Sequence, residues 1–156
     1  HSDKPVIDII LSVENANTWH KENINRNSSH YSALKHLPNS SQFISRLQNE
    51  FPAHLYYNTL ITVGNFKIKY GVIEDKWLTK DLTEWCDFYC AGRLQKPCLI
   101  IKSTAQVDTA QQRNLDAAVA VSCLLLPNEF SKRDLYVKLT SLSYMGDPRM
   151  QFKFEN

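Results

Sequence analysis

The sequence lacks an apolar run long enough to cross a membrane as a helix. Its longest apolar stretch, AAVAVSCLLLP, is about half of the roughly 20 residues that a bilayer span requires. The sequence also lacks a large charge of one sign, because 18 Lys and Arg residues against 16 Asp and Glu residues leave a formal net charge of +2. So small a charge, with no basic stripe along the chain, argues against nucleic-acid binding.

The short motifs that identify several enzyme classes are missing as well. There is no P-loop, no Rossmann glycine fingerprint and no nucleophile elbow. The four cysteines show neither the close pairing of a redox motif nor a zinc spacing, so we expect four buried, reduced thiols. Cys86 and Cys90 are expected to share one helical face. The histidines show no metal-ligand spacing either, and surface or core positions are expected for them.

The composition that remains, with 43% hydrophobic and 22% charged residues, is typical of a soluble globular protein. The 156 residues suit one domain, or a compact domain with a small appendage. Because the first residue is His1 rather than Met, we expect a processed chain or a piece of a longer protein.

Three stretches have strand patterns. The β-branched run PVIDIILSV at 5–13 predicts a buried strand, and the sequence at 54–73 predicts two strands joined by a tight turn at Gly64-Asn65. The short run CLIIK at 98–102 predicts a further strand. Up to Pro97 the pattern therefore indicates a mixed α/β region.

Helical patterns account for most of the other residues. They cover the ranges 14–27, 41–51, 75–91, 109–126 and 131–144. Asn15 or Asn17 is expected to cap the first helix and Ser131 the last, and Gly92 suits the C-terminal end of the third. After Pro97 the chain is predicted to be mainly helical.

Asp8 is the most informative acid, because it interrupts an apolar strand. A buried carboxylate is costly unless it is paired or binds a cation, so Asp8 either has such a partner or faces solvent from an edge strand. Glu14, just past the strand, is either a second acid of the same site or a turn residue. The pattern leaves both questions open.

Four cations form two short groups. Lys67 and Lys69 share one face of a predicted strand, where they either grip phosphate as point charges or are solvated. Arg93 and Lys96 follow a predicted helix end, where cations bind phosphate or simply complement the helix dipole. The residues alone thus indicate an α/β domain with a candidate Asp/Lys site for an anion or a metal ion.

Five strings add a resemblance to a known family. In chain order they are WHKENINRNSSHYS, YYNTLITVGNFKIKYGVI, YCAGRLQKP, LLLPNEFSKRDLY and LSYMGDPRM. Together they resemble, over nearly the whole chain, the mitochondrial translocator assembly and maintenance family, the peripheral CDP-diacylglycerol synthases of the inner membrane. The resemblance implies an α/β (α+β) fold, with a nucleotidyltransferase-like mixed sheet and helices at 1–97 and a small, mainly helical, winged-helix-like domain at 98–156.

The resemblance also implies an activity and a location. Members make CDP-diacylglycerol from CTP and phosphatidic acid with Mg²⁺, release pyrophosphate and supply cardiolipin synthesis. They are expected in peripheral contact with membrane lipid, on the matrix side of the mitochondrial inner membrane.

Site residues follow from the matching strings. By resemblance, Asp8 is assigned as a metal ligand and catalytic residue, and Lys69 as the catalytic lysine facing the triphosphate. Arg93 and Lys96 are assigned to phosphates of CTP or of the lipid. The further substrate-binding candidates are Ser29, His30, Tyr31, Tyr144, Asp147 and Arg149.

The chain departs from the family pattern in three ways. The Gly-Ser element expected before the metal strand is not in this sequence, and the family's C-terminal segment is expected beyond Asn156. A single acid, Asp8, stands where nucleotidyltransferases usually have an Asp-x-Asp pair. We therefore expect these 156 residues to be inactive by themselves. The alternative is a non-catalytic module of the same fold that binds a lipid head group or a protein partner.

Overall fold

The structure is a computed structural model that describes residues 6–145. Two of the predicted substrate-binding residues, Asp147 and Arg149, lie outside the described residues. The chain divides into two compact units, His1–Trp77 and Leu78–Asn156. The functional domains predicted at 1–97 and 98–156 stay a prediction.

The first unit contains a three-stranded sheet. Its strands are β1 (Val6–Val13), β2 (Leu55–Val63) and β3 (Phe66–Glu74), in the spatial order β1-β3-β2. β1 runs parallel to β3, and β2 runs antiparallel to it, so the sheet is mixed. The predicted strand at 5–13 and the predicted hairpin are confirmed, but the expected burial of that strand is wrong, because β1 lies at the edge of the sheet and none of its residues is buried. Gly64 supplies the positive φ, 57°, that the turn between β2 and β3 requires.

Alternation along the strands divides this sheet into two different faces. Ile61, Tyr70 and Val72 form a buried cluster on one face, and Ile9 and Leu11 of β1 pack against it. The opposite face carries the side chains that alternate with these. We call it the polar face, because it presents Asp8, Lys67 and Lys69 at the end near the hairpin turn, whereas Ile73 at its other end is buried.

Two helices belong to the same unit. They are α1 (Ala16–Arg26) and α2 (Ser40–Glu50), and the short 3₁₀ helices Ser28–His30 and Ala33–His36 lie between them. The Asn15 side chain accepts a hydrogen bond of 2.9 Å from the Thr18 N–H, which confirms the predicted cap. The buried Glu74 carboxylate accepts the Ala16 N–H at 3.0 Å, so the end of β3 also fixes the start of α1.

The second unit is helical in its described residues. It contains α4 (Cys90–Leu94), α5 (Ala105–Leu125), α6 (Lys132–Ser141) and most of α3 (Asp75–Glu84), which begins in the first unit. A cluster of Ala118, Leu139 and Leu142 forms a core there. Ser131 caps α6 as predicted, in a reciprocal capping box with Asp134. The expected order, a mixed sheet with helices followed by a mainly helical part, is confirmed.

The helix predicted for 75–91 is wrong, because the structure has two helices there. α3 ends at Glu84, and Trp85 and Phe88 adopt left-handed backbone angles before α4 begins. The buried Asp81 carboxylate accepts N–H groups of the residues that follow the break, at 3.0 Å from Asp87, 2.7 Å from Phe88 and 2.9 Å from Ala91. These bonds stabilise the turn that ends α3, so the helix does not continue to Ala91.

Two further expectations are wrong. CLIIK is not a strand but an exposed irregular segment, since no neighbouring strand lies beside it in the described part of its unit. All four cysteines are reduced, but only Cys90 is buried, and Cys86 lies in the break rather than on the helix of Cys90. Among residues 6–145, no helix has the length and apolar character that a bilayer span requires.

Candidate functional site

The sheet brings Asp8 and Lys69 together. They are direct partners in the parallel register of β1 and β3, so both side chains leave the same face of the sheet. β1 is an edge strand and Asp8 is exposed, so its carboxylate carries no burial cost. Of the two alternatives for Asp8, the structure has the edge strand. Its carboxylate is accessible to a ligand beside a lysine.

Lys69 has a defined position on this face. Its Nζ lies 4.3 Å from the centre of the Tyr57 ring on β2, in a cation–π contact. Tyr57 reaches this face only because the pairing of β2 with β3 shifts between Asn58 and Ile61. Without that bulge, counting back from the turn would place Tyr57 opposite Val72, on the apolar face. The sequence analysis missed Tyr57, since no sequence pattern marks the bulge.

A second acid on the polar face lies at the other end of β1. The Ser12 hydroxyl donates a hydrogen bond to Asp75 at the start of α3. Ser12 follows Asp8 by four residues, about 13 Å along a strand, so Asp75 does not form the Asp-x-Asp type of pair with Asp8. Glu14 is exposed just past the strand, and its role stays open.

The second unit positions the other two cations and one of the tyrosines. Arg93 lies on α4, where its guanidinium donates to the Tyr89 hydroxyl at 3.0 Å and lies 4.8 Å from the centre of the Tyr89 ring. The Lys96 Nζ lies 3.8 Å from the centre of the Tyr144 ring. The predicted candidates Lys96 and Tyr144 are therefore in contact.

Gly92 makes that contact sterically feasible. A Cβ at Gly92 would lie 2.5 Å from the Cβ of Ser143, so any larger residue would push this part of the chain away. Gly92 therefore acts inside α4 as a point of close approach, not as the helix stop that was predicted.

The candidates His30 and Tyr31 lie in a polar network below the apolar face of the sheet. The Tyr31 hydroxyl lies 2.8 Å from Nδ1 of His20, whose Nε2 lies 2.9 Å from Oε1 of Gln48. Since an amide oxygen only accepts, Nε2 carries the proton and Nδ1 accepts from Tyr31. His30 Nδ1 lies 2.9 Å from the Tyr70 hydroxyl.

Burial determines the protonation of this network. It raises the pKa of Tyr31 to about 12, with hydrogen bonds from Asn23 and Asn58 acting the other way. It lowers the pKa of His20, partly offset by the hydrogen bond with Gln48. His20 and Tyr31 are therefore neutral at pH 7, and the network joins α1 and α2 to the sheet. Ser29, by contrast, is exposed in the adjoining 3₁₀ helix.

One group of metal-ligating side chains occurs within the described residues. The ligand atoms of Asp81, Cys86 and Asp87 lie within 4.8 Å of one another, close enough to hold a metal ion. Both oxygens of Asp81 already accept backbone N–H groups, and burial, with the nearby carboxylates, raises the pKa of the Cys86 thiol. Because Mg²⁺ prefers oxygen ligands, this group suits that ion less well than the exposed Asp8.

Together these features define a class of protein. A mixed sheet with a carboxylate and a lysine on its open face, followed by a helical part, is the α+β architecture of a nucleotidyltransferase-like protein. Comparison with known families gives a more specific result. The family described as mitochondrial phosphatidate cytidylyltransferase matches residues 1–156, and the chain belongs to this family.

Three relatives show the extent of the similarity, and all three are named mitochondrial phosphatidate cytidylyltransferase. The chain is 41% identical to the rat protein over 152 residues, which cover 96% of the chain and 44% of that protein. It is 42% identical to the Schizosaccharomyces pombe protein, over 99% of the chain and 39% of that protein. It is 43% identical to the human protein, over 93% of the chain and 32% of that protein. The chain thus spans less than half the length of these relatives.

Proposed function

We propose that the protein is a phosphatidate cytidylyltransferase, which makes CDP-diacylglycerol and pyrophosphate from CTP and phosphatidic acid. In this reaction a phosphate oxygen of phosphatidic acid forms a bond to the α-phosphorus of CTP. The bond from that phosphorus to the oxygen that bridges to the β-phosphorus breaks, and pyrophosphate leaves. The names of the family and of the relatives support the proposal.

The observation that carries the proposal is the register that sets Asp8 beside Lys69 on an accessible sheet face. Phosphoryl transfer depends mainly on positioning and on charges that stabilise the phosphates. Lys69, with its ammonium held over Tyr57, would bind the triphosphate of CTP. A lysine held in one place loses less entropy on binding a phosphate than a mobile one does.

Asp8 would be a ligand of the Mg²⁺ ion in this mechanism. Protein sites often hold Mg²⁺ by one or two carboxylates together with phosphates of the substrate, and an exposed strand carboxylate beside a lysine fits that pattern. A bound Mg²⁺ ion would neutralise the charge that develops on the leaving pyrophosphate. Asp8 would contribute an oxygen ligand and would fix where on the sheet the ion is held.

Arg93 and Lys96 are proposed to hold a phosphate from the second unit, either of CTP or of the lipid. Each is oriented by a tyrosine ring, Tyr89 for Arg93 and Tyr144 for Lys96. The proposal further places the protein in peripheral contact with membrane lipid on the matrix side of the mitochondrial inner membrane, where its product supplies cardiolipin synthesis. The mitochondrial names of the relatives support this location.

The test is calorimetric titration of CTP into the full-length natural protein and its variants, with and without Mg²⁺. Asp8→Ala is expected to remove the Mg²⁺ dependence of binding. Lys69→Ala is expected to weaken binding about tenfold or more, because a charge-assisted contact to phosphate is lost. Glu14→Ala and Lys67→Ala are the matched controls, since both residues lie on or next to the same strands.

Three outcomes separate the alternatives. Equal losses in Lys67→Ala and Lys69→Ala would mean that only the general charge of the face matters, and the assigned role of Lys69 would be wrong. Phosphatidate binding without formation of CDP-diacylglycerol by the full-length protein would favour the non-catalytic module. The 156-residue chain, assayed in parallel, is expected to form no product, and turnover at the full-length rate would contradict that expectation.

A further inference from the structure

The segment at 97–104, between α4 and α5, has an unusual exposed surface. It contains three consecutive large aliphatic side chains, and their exposed fractions are 87% for Leu99, 55% for Ile100 and 87% for Ile101. Scattered exposed apolar residues are common, but three in a row on an irregular segment are unfavourable in water unless something covers them. We call residues 97–104 the apolar loop.

Along the sequence, the charged residues between Asp87 and Asp108 all have one sign. From 88 to 107 the sequence contains Arg93, Lys96 and Lys102 and no Asp or Glu. The cations stand on both sides of the three aliphatic residues. An apolar tip flanked by cations is complementary to a membrane surface that contains anionic lipid.

The backbone of the apolar loop limits how deeply it can enter a membrane. An irregular segment leaves N–H and C=O groups that need water or headgroup partners, so only its side chains can reach the acyl region. The loop would therefore sit at the interface. Tyr144, which is 43% exposed and in contact with Lys96, has the amphipathic ring that is favoured at the headgroup level.

A second stretch of the same unit, residues 124–137, also has exposed apolar side chains but lacks this charge pattern. Its large exposed residues include Leu124, Tyr136 and Val137. The acids Glu129 and Asp134 are interspersed with the cations in that stretch of sequence, so it has no net attraction for an anionic surface. The charge pattern therefore selects the apolar loop.

We propose that the apolar loop docks the protein on an anionic phospholipid bilayer, with Leu99 and Ile101 inserted at the interface and Lys102 at the headgroups. The inference rests on the proposed function in one respect, which is that phosphatidic acid is itself an anionic lipid of the bilayer. Lys96 precedes Leu99 by three residues, at most about 11 Å of extended chain. Docking would thus hold the phosphate-binding candidates Arg93 and Lys96 at the level of the lipid phosphates.

The experiment is vesicle flotation of the full-length natural protein. The vesicles are phosphatidylcholine alone, or phosphatidylcholine with about a third phosphatidylglycerol, an anionic lipid that is not the proposed substrate. Leu99→Ser and, separately, Ile101→Ser are expected to weaken binding to the anionic vesicles about tenfold, as the loss of one inserted aliphatic side chain implies. Lys102→Gln is expected to weaken it about fivefold and to leave binding to phosphatidylcholine unchanged.

Two matched controls show whether the position matters. Leu60→Ser removes a leucine that is 83% exposed in the first unit, and Lys132→Gln removes an exposed lysine of α6. Both are expected to bind vesicles as the unchanged protein does. Unchanged binding in Leu99→Ser and Ile101→Ser would overturn the proposal. A loss in the controls as large as in the loop variants would also overturn it.

The activity assay separates this inference from the proposed function. Turnover of CTP is measured with phosphatidic acid in detergent micelles, where docking on a bilayer is not needed. Leu99→Ser is expected to keep that turnover. Absence of turnover in the unchanged protein, with vesicle binding that depends on the loop, would contradict the proposed function and support the docking surface. Turnover with vesicle binding that is independent of the loop would contradict the docking surface alone.

Discussion

His20 shows how a single buried residue couples folding to pH. Its ring is fully buried, with Tyr31 at one nitrogen and Gln48 at the other. Burial lowers the pKa of His20, so the unfolded chain takes up a proton at a higher pH than the folded protein does. The stability that the neutral ring contributes is complete above the unfolded value of about 6.5 and is lost as the pH falls below it.

We therefore expect the urea concentration at the midpoint of unfolding to be lower at pH 5.5 than at pH 7.5. Circular dichroism measures this midpoint. His20→Gln is expected to lower stability by about 1–3 kcal/mol at pH 7.5, because its hydrogen bonds are changed, and to flatten the pH dependence. His36→Gln, at an exposed position, is the control and should keep both the stability at pH 7.5 and its pH dependence. An equally steep pH dependence in His20→Gln would show that another group titrates.

At the scale of secondary-structure elements, the break between α3 and α4 depends on Asp81. One buried carboxylate accepts three backbone N–H groups, one of them at the start of α4. Asp81→Ala would leave these donors without an acceptor, so we expect a loss of roughly 3 kcal/mol in the free energy of unfolding.

Chemical denaturation of Asp81→Ala and of Asp116→Ala measures this effect. Asp116 is an exposed acid of α5 that accepts a hydrogen bond from Gln112 of the same helix, so its loss is expected to cost less than about 0.5 kcal/mol. Similar losses in the two variants would mean that the bonds of Asp81 do not hold the break together.

The thiols report on the opening of the whole second unit. Cys86, Cys98 and Cys123 are exposed, whereas Cys90 is fully buried and burial raises its pKa to about 12. Because thiolates are the reactive species, we expect a thiol reagent at pH 8 to modify three cysteines of the folded protein and the fourth only on unfolding. Rapid modification of all four in the folded state would show that the core around Cys90 opens readily.

Local signals predicted much of the fold. The strand at 5–13, the hairpin turn and the caps at Asn15 and Ser131 depend on neighbours within a few residues, so a sequence pattern identifies them. The failed predictions depend on distant partners. CLIIK has a strand pattern but no strand beside it, and the helix at 75–91 breaks because Asp81 binds residues that follow it by six to ten positions.

The candidate site divides in the same way. Asp8, Lys69, Arg93 and Lys96 were assigned from residue types and matching strings, and the structure shows which of their side chains have defined neighbours. Tyr57 was not predicted, because a one-residue shift in strand pairing decides which face it occupies. His30 and Tyr31 were predicted to bind substrate, and the structure places them in a polar network that joins helices to the sheet.

By itself the sequence determined the order of sheet and helical parts, the turn at Gly64 and the family to which the chain belongs. These follow from short-range backbone preferences and from the order of similar residues along the chain. Only the tertiary structure decided that Asp8 lies exposed beside Lys69, that Tyr57 shares their face, and that Leu99 and Ile101 are exposed. Strand register and burial are set by contacts between residues far apart in sequence, which no local pattern contains.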